Sequence, residues 1–279
     1  MKTMKINGTV INYEHRINPN WTGPTIVLVH GFGASLESWE EIFHALCETY
    51  SVVRLDLRGH GLSAKPLDSN YSLVDQAVIL TALIEKLGLN AVHLVGHSYG
   101  GGVVLTAYIS SLRAAGISPI KSLILINSAG YRQEFPFFVT AVEKPLIQFF
   151  VNLFPAKLRA SVLLHKIMMV KAQITGERIE RYAKYFDLPG ASHAIGEAAR
   201  ALLPADLDSW VASYRDISVP CLIIWGENDP AIPVEFAHRF KQDIPRSTLS
   251  ILPDTGHIPH EERPQETLSI IKLFVGEIE

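Results

Sequence analysis

A serine, an aspartate and a histidine, the residue types that together cleave acyl bonds, stand at positions from which an α/β chain brings them to one place. Ser98 sits in the run Gly96-His-Ser-Tyr-Gly100, between an apolar strand and a helix. In that context Gly-x-Ser-x-Gly predicts a turn so tight that the serine adopts a strained backbone and its hydroxyl stands clear of the sheet. Side chains at 96 and 100 would collide in such a turn. The helix that follows begins at the serine, so free N–H groups and the positive dipole end face any charge that develops there.

A serine hydroxyl is a poor nucleophile at neutral pH and needs a base, normally a histidine whose far nitrogen is held by a carboxylate. In an open α/β sheet these groups come from loops at the carboxyl ends of strands. His257 lies just after the last strand, in Pro253-Asp-Thr-Gly-His257, and Asp229 just after the preceding one, in Trp225-Gly-Glu-Asn-Asp229. The order Ser98, Asp229, His257 is the chain order of this elbow architecture. Glu227 and Asp254 compete with Asp229 for the carboxylate role. Two backbone N–H groups are expected to meet the oxyanion of an attacked ester: that of Tyr99 at the helix start, and that of Phe32, between two glycines in His30-Gly-Phe-Gly33.

The remaining histidines near these motifs call for other readings. His260, followed by Glu261 and Glu262, reads as a solvated or helix-capping residue. His97, inside the elbow, reads as shaping the turn or the pocket wall. His60, between Gly59 and Gly61, reads as structural, and nothing in the sequence places its ring near Ser98.

Positioning these residues requires a layered frame, and the chain supplies one. A weak alternation around Asn7-Gly8 predicts an N-terminal hairpin. Short apolar runs at 25–30, 50–57, 92–97, 122–126, 220–225 and 247–252 read as buried strands. Between them, helical periodicity marks 36–46, 73–87, 234–242 and a closing helix from Pro264 to about Val275. Strand-helix alternation of this kind predicts an α/β fold with a parallel sheet covered by helices on both faces.

From about Ser128 to Asp208 the alternation stops. The stretch is helical in pattern, holds Phe135, Phe137, Phe138, Phe149, Phe150 and Phe154, and is punctuated by Pro136, Pro145 and Pro155. It reads as an insertion. Most of its apolar residues are expected to attach it to the rest, but part of the run from Phe135 to Phe154 should line the cavity over Ser98 or gate its entrance. Met168 and Met169 would add an adaptable wall, and Arg159, Lys166 and Lys171 leave an anionic substrate open.

Composition excludes several classes. With 48% apolar and 19% charged residues in 279, the chain can bury a sizeable core, and disorder is not expected. A net charge of −3 with scattered basic residues argues against a nucleic-acid partner. The N-terminus has no apolar run of signal-peptide type and no segment is long and uncharged enough for stable membrane insertion, so the expected compartment is the cytoplasm. Cys47 and Cys221 read as small buried hydrophobes, and no ligand spacing among the eleven histidines predicts a metal.

With His30-Gly-Phe-Gly33, Asp56-Leu-Arg-Gly-His-Gly61, the Ser98 elbow, Gly226-Glu-Asn-Asp-Pro230 and Gly256-His257 in hand, the chain resembles the α/β-hydrolase superfamily over nearly its whole length. The resemblance implies a mostly parallel eight-stranded sheet in a core domain of residues 1–130 and 206–279. It also implies a helical cap, 131–205, inserted after the sixth strand, and no required cofactor. Members with aspartate at the elbow are haloalkane dehalogenases and epoxide hydrolases, and Ser98 argues against both. Serine members include carboxylesterases, lipases, cofactor-free perhydrolases and hydrolases of carbon-carbon bonds in ring-fission products. The last group usually carries Asn before the nucleophile and Trp after the histidine, where this chain has His97 and Ile258. The expected activity is therefore hydrolysis of a small-molecule ester with an apolar acyl group. Carbon-carbon hydrolysis is second, and a non-catalytic receptor or scaffold of the same fold third.

Overall fold

The computed structural model describes residues 1–113, 118–134, 136–204 and 206–279. The N-terminal hairpin forms as expected: β1 (Lys2–Ile6) and β2 (Thr9–Arg16) pair antiparallel across Asn7 and Gly8, both at positive φ. Alternation then follows through β3 (Thr25–Val29), α1 (Glu40–Cys47), β4 (Val52–Leu55), α2 (Leu73–Lys86), β5 (Val92–His97), α3 (Tyr99–Arg113) and β6 (Ile120–Ile126). The first turn of the helix expected from Leu36 is a 3-10 turn, Leu36–Trp39, which leads into α1.

Between β6 and β7 (Cys221–Gly226) run α4 (Phe137–Val142), α5 (Pro145–Asn152), α6 (Ala156–Ile167), α7 (Gly176–Ala183), α8 (Ala191–Arg200) and α9 (Leu207–Ala212), with no strand among the described residues. The chain closes with α10 (Glu235–Asp243), β8 (Ser247–Leu252), the short α11 (Pro259–Glu262) and α12 (Pro264–Ile278). Of the residues expected to mark the insertion, Phe135 and the boundary residue Ala205 lie outside the described residues, as does the side chain of Phe138.

The eight strands form one sheet in the order β1-β2-β4-β3-β5-β6-β7-β8. Only the pairs β1·β2 and β2·β4 are antiparallel. Successive residues of the central strands point to opposite faces. Val27, Val29, Leu94, Leu123, Leu125, Ile223 and Trp225 join the core under α2, α3 and α10, while Ile26, Leu28, Val95, Ile124, Ile126, Leu222 and Ile224 join the core under α1 and α12. Burial on both faces explains why the strands read as unbroken apolar runs.

Because β3 and β5 to β8 are parallel, the loops after them emerge at one edge of the sheet, and these loops carry Phe32, Ser98, Asp229 and His257. Packing at that edge is tight between β3 and the elbow. A Cβ on Gly100 would lie 2.3 Å from the Val29 carbonyl oxygen and 2.4 Å from that of His30. Neither carbonyl can yield without moving the strand. Gly100→Ala should therefore lower stability by about 3 kcal/mol, read as a fall in urea midpoint. Gly276→Ala on α12, where an added methyl meets nothing within 4 Å, should be neutral or stabilising. Equal midpoints for the two variants would contradict this packing account.

Candidate active site

Ser98 has φ of 52°, the left-handed region a serine seldom occupies. Such a conformation costs on the order of 1–3 kcal/mol and persists only where its surroundings over-determine it. Here its N–H donates to the Ile126 carbonyl at 3.0 Å, and its own carbonyl accepts from Gly101, Gly102 and Ala129. The elbow is thereby tied to the end of β6 as well as to α3.

The Ser98 Oγ lies 2.9 Å from Nε2 of His257, and His257 Nδ1 lies 2.8 Å from Oδ2 of Asp229. A carboxylate only accepts, so Nδ1 carries the proton and Nε2 is left to accept from the serine hydroxyl. Asp229 and His257 are both buried, while Glu227 and Asp254, the two competing carboxylates, are exposed. The loops of Asp229 and His257 touch at Gly226, where a Cβ would sit 2.0 Å from the Gly256 carbonyl oxygen.

Asn127 belongs to the same array and was not singled out by the sequence. Its Nδ2 donates to Asp229 Oδ2 at 2.6 Å, and its Oδ1 accepts from the Gly226 N–H. The other oxygen, Oδ1 of Asp229, accepts from the N–H groups of Ala231 and Ile232. Four donors thus offset the cost of burying this carboxylate. The one sequence signal for Asn127 is a polar residue placed immediately after the buried strand Leu123-Ile-Leu-Ile126.

Phe32 and Tyr99 line the same cavity as Ser98 and His257, a space of about 240 Å³. Tyr99 is the first residue of α3, so its N–H has no partner within the helix. His97 donates from Nε2 to the His257 carbonyl at 2.8 Å, consistent with a residue that shapes the turn. The turn expected around His60 is present, with Gly59 and Gly61 at positive φ, but its ring also lines the cavity, which the sequence did not indicate.

The reading of His260 is overturned. It is buried, its ring stacks on Trp39 at 4.3 Å and meets His97 edge-on at 4.7 Å, and Glu261 and Glu262 beside it are buried too. Local sequence misleads here because the compensating groups come from about ninety residues away. Arg178 of α7 forms an ion pair with Glu261 at 2.8 Å, and Tyr182 donates to Glu261 at 2.6 Å. Glu262 accepts from the N–H groups of Met169 and Val170, and the His257 N–H donates to the Ile167 carbonyl. The loop bearing His257 is thus stitched to the end of α6 and to α7.

Part of the run from Phe135 to Phe154 lines the cavity as expected, through Pro136, Val139, Val142, Gln148, Val151 and Asn152, whereas the expected methionine wall is corrected. Phe137, Phe149, Phe150 and Phe154 are exposed, Met168 is buried beneath α6 and α7, Met169 is exposed, and none of them borders the cavity. Its apolar wall comes from Val139, Val142, Val151, Leu163, Ile195 and Leu202. A polar corner holds Gln148, Asn152 and Arg159, with Arg159 paired to Asp187 and Asn152 bonded to Ser192.

Comparison with known proteins places the family of this chain. The family model described as alpha/beta hydrolase fold matches residues 24–264, and the chain belongs to that family. It is 28% identical to an uncharacterized hydrolase, YugF, of Bacillus subtilis, over 99% of this chain and 97% of that one. It is likewise 28% identical to Lipase 3 of a Moraxella species, over 92% of this chain and 79% of the lipase. The solved meta-cleavage product hydrolase of Pseudomonas fluorescens superposes with a TM-score of 0.83 at 21% identity, covering 100% of this chain and 98% of that one, which bears on the fold.

Burial around the site sets a pH response of the fold. Desolvation pushes His30 down to about 4 and His60 and His260 down to about 3, and it holds His97 well below the usual histidine range, with the neighbouring histidines adding to the effect. The unfolded chain takes up these protons near pH 6.5 and the folded chain does not. Their contribution to stability is therefore complete above about pH 6.5 and is lost as pH falls from there toward 4. Buried His93, pushed down to about 4, adds to these four, while Glu261, pushed up to about 7 by burial against the pull of Arg178, and Asp56, also raised by burial, oppose them, two groups against five. Urea midpoints should fall steadily from pH 6.5 to 4. In His260→Phe the slope should be shallower by about one proton; an unchanged slope would mean that His260 is not held neutral.

Proposed function

We propose that this chain is a serine hydrolase that cleaves carboxylic esters of small to medium apolar acyl groups through an acyl-enzyme, without a cofactor. The observation that carries the reading is the hydrogen-bonded chain from Ser98 through His257 to Asp229 at the floor of an apolar cavity. In this mechanism Ser98 Oγ bonds to the ester carbonyl carbon as His257 Nε2 takes its proton. The oxyanion is met by the N–H groups of Phe32 and Tyr99. Collapse breaks the bond to the alcohol oxygen, which receives the proton from His257. Water, deprotonated by His257, then attacks the acyl carbon, and as the bond to Ser98 Oγ breaks His257 returns the proton to it, releasing the acid. Asp229 keeps the imidazole in its tautomer, and Asn127 acts as a positioning residue for Asp229. Residues 131–205 serve as the cap that closes the cavity over the core of 1–130 and 206–279.

Favouring a neutral ester over an anionic ring-fission product is the state of the two cations at the cavity. Arg159 is paired with Asp187, and Lys65 donates to the carbonyls of Gly61 and Ser63. Arg159 is thereby matched by a carboxylate, and two of the three N–H donors of Lys65 are already used.

Ser98→Ala and His257→Ala should each lower kcat by about 10⁴-fold or more, and the double variant should be little worse, because these groups act as a unit. A serine-reactive phosphonate should label the wild type and not Ser98→Ala. Near-normal turnover in Ser98→Ala would overturn the mechanism, and a wild type that resists labelling would indicate a scaffold.

A panel of p-nitrophenyl esters run beside a ring-fission dienoate tests the substrate class. Each methylene that fits should raise kcat/KM by at most about fivefold until the cavity is full. Faster turnover of acetate and dicarboxylate esters than of butyrate or hexanoate esters would contradict an apolar acyl site. Turnover of the dienoate alone would establish carbon-carbon hydrolysis instead.

A further inference from the structure

Helix α5 is amphipathic in the inverted sense. Leu146, Phe149, Phe150 and Leu153 recur at i, i+3, i+4 and i+7, the spacing of a face that ordinarily packs on a core. Here they are 70, 61, 55 and 66% exposed. Gln148 and Asn152, on the other side, bond inward to Ser192 of α8. Past α5 the exposed apolar surface continues through Phe154, and after a bend of 112° it runs on along α6 through Leu158 and Val162. An apolar surface of this extent marks a place where something else sits.

Charge narrows what that occupant is. Residues 136–171 carry Lys144, Lys157, Arg159, Lys166 and Lys171 against Glu143 alone, a net +4 in a chain whose total is −3, and although Lys157 and Arg159 are paired with Glu180 and Asp187, Lys144, Lys166 and Lys171 have no carboxylate in ion-pair range among the described residues. Lys144 immediately precedes α5 and Lys166 lies one turn beyond Val162. Both are exposed, with no carboxylate in ion-pair range among the described residues. A second copy of this chain meeting the face by two-fold symmetry would bring two positive segments together. An anionic lipid surface satisfies both features, taking the aromatic side chains into the headgroup boundary and the lysines onto the phosphates.

We propose that the outer face of α5 and its corner with α6 dock peripherally on an anionic lipid bilayer. No single helix among the described residues is long and apolar enough to span one, and although α5 and α6 together have the length and composition, α6 buries Ala160, Leu164 and Ile167 in the chain's own core, so the contact proposed is interfacial. Gln148, Val151 and Asn152, on the inner side of α5, line the cavity over Ser98. Docking therefore sets that cavity about one helix diameter, ~10 Å, from the lipid. Supply of an apolar ester from the membrane rests on the ester-hydrolase reading above; the docking itself does not.

The test is sedimentation of the whole chain with vesicles of phosphatidylcholine, with and without phosphatidylglycerol. Binding should be at least about tenfold tighter with phosphatidylglycerol and should weaken with salt. Phe149→Glu with Phe150→Glu should abolish it, and Lys144→Glu with Lys166→Glu should remove the preference for the anionic lipid, both with unchanged thermal midpoints. Absence of vesicle binding, or binding unaffected by the double Phe change, overturns the proposal. So does self-association that the same Phe change abolishes, because the face would then be covered by a second copy. Vesicle binding by a chain that fails to turn over any ester supports docking and counts against the hydrolase reading alone.

Discussion

Between Gly100 and the carbonyl oxygens of Val29 and His30 there is no room for a methyl group, and much of the site depends on that closeness. It brings the start of α3 against the end of β3, so that Ser98 is held at positive φ with its amide and carbonyl both committed to neighbouring segments. Strain that would relax in an isolated turn is retained because the sheet on one side and β6 on the other leave the backbone no alternative. The same contact carries the loop of Phe32 to the rim of the cavity that Ser98 opens into.

Around this fixed point the other groups are held by burial and by hydrogen bonds that close on themselves. Asp229 has both oxygens occupied by donors, and its partner His257 is fixed at the main chain by His97 and by Ile167 of the insertion. Four buried histidines stay uncharged around them, so the imidazole that faces Ser98 is not surrounded by positive charge. The cost of excluding their protons falls on folding stability at acid pH and not on the geometry of the site.

The helices between β6 and β7 are attached unevenly. The α6–α7 pair shares a core with Ile258 and is clamped through Arg178, Tyr182, Glu261 and Glu262 to the His257 loop. α5 is held inward by polar contacts to Ser192 and turns its apolar residues outward. One pair of these helices therefore braces the His257 loop, and another helix lines the cavity while presenting a surface that no other described residue covers.

The sheet and the meeting of Ser98, Asp229 and His257 were legible in the sequence because local rules govern them. Apolar runs of five to eight residues and the 3.6-residue period between them defined nearly every element of the core, and glycine positions around Ser98 defined the elbow. Asp229 and His257 could be named because parallel strands must deliver their following loops to one edge. Tertiary structure alone decided what depends on partners far along the chain. His260, Glu261 and Glu262 read locally as a polar, solvated run, and they are buried because Trp39, Arg178, Tyr182 and the amides of Met169 and Val170 meet them. The stripe on α5 has the periodicity of a core face, and periodicity carries no sign. Whether it turns to the cavity or to the outside was settled by Gln148 and Asn152 reaching Ser192.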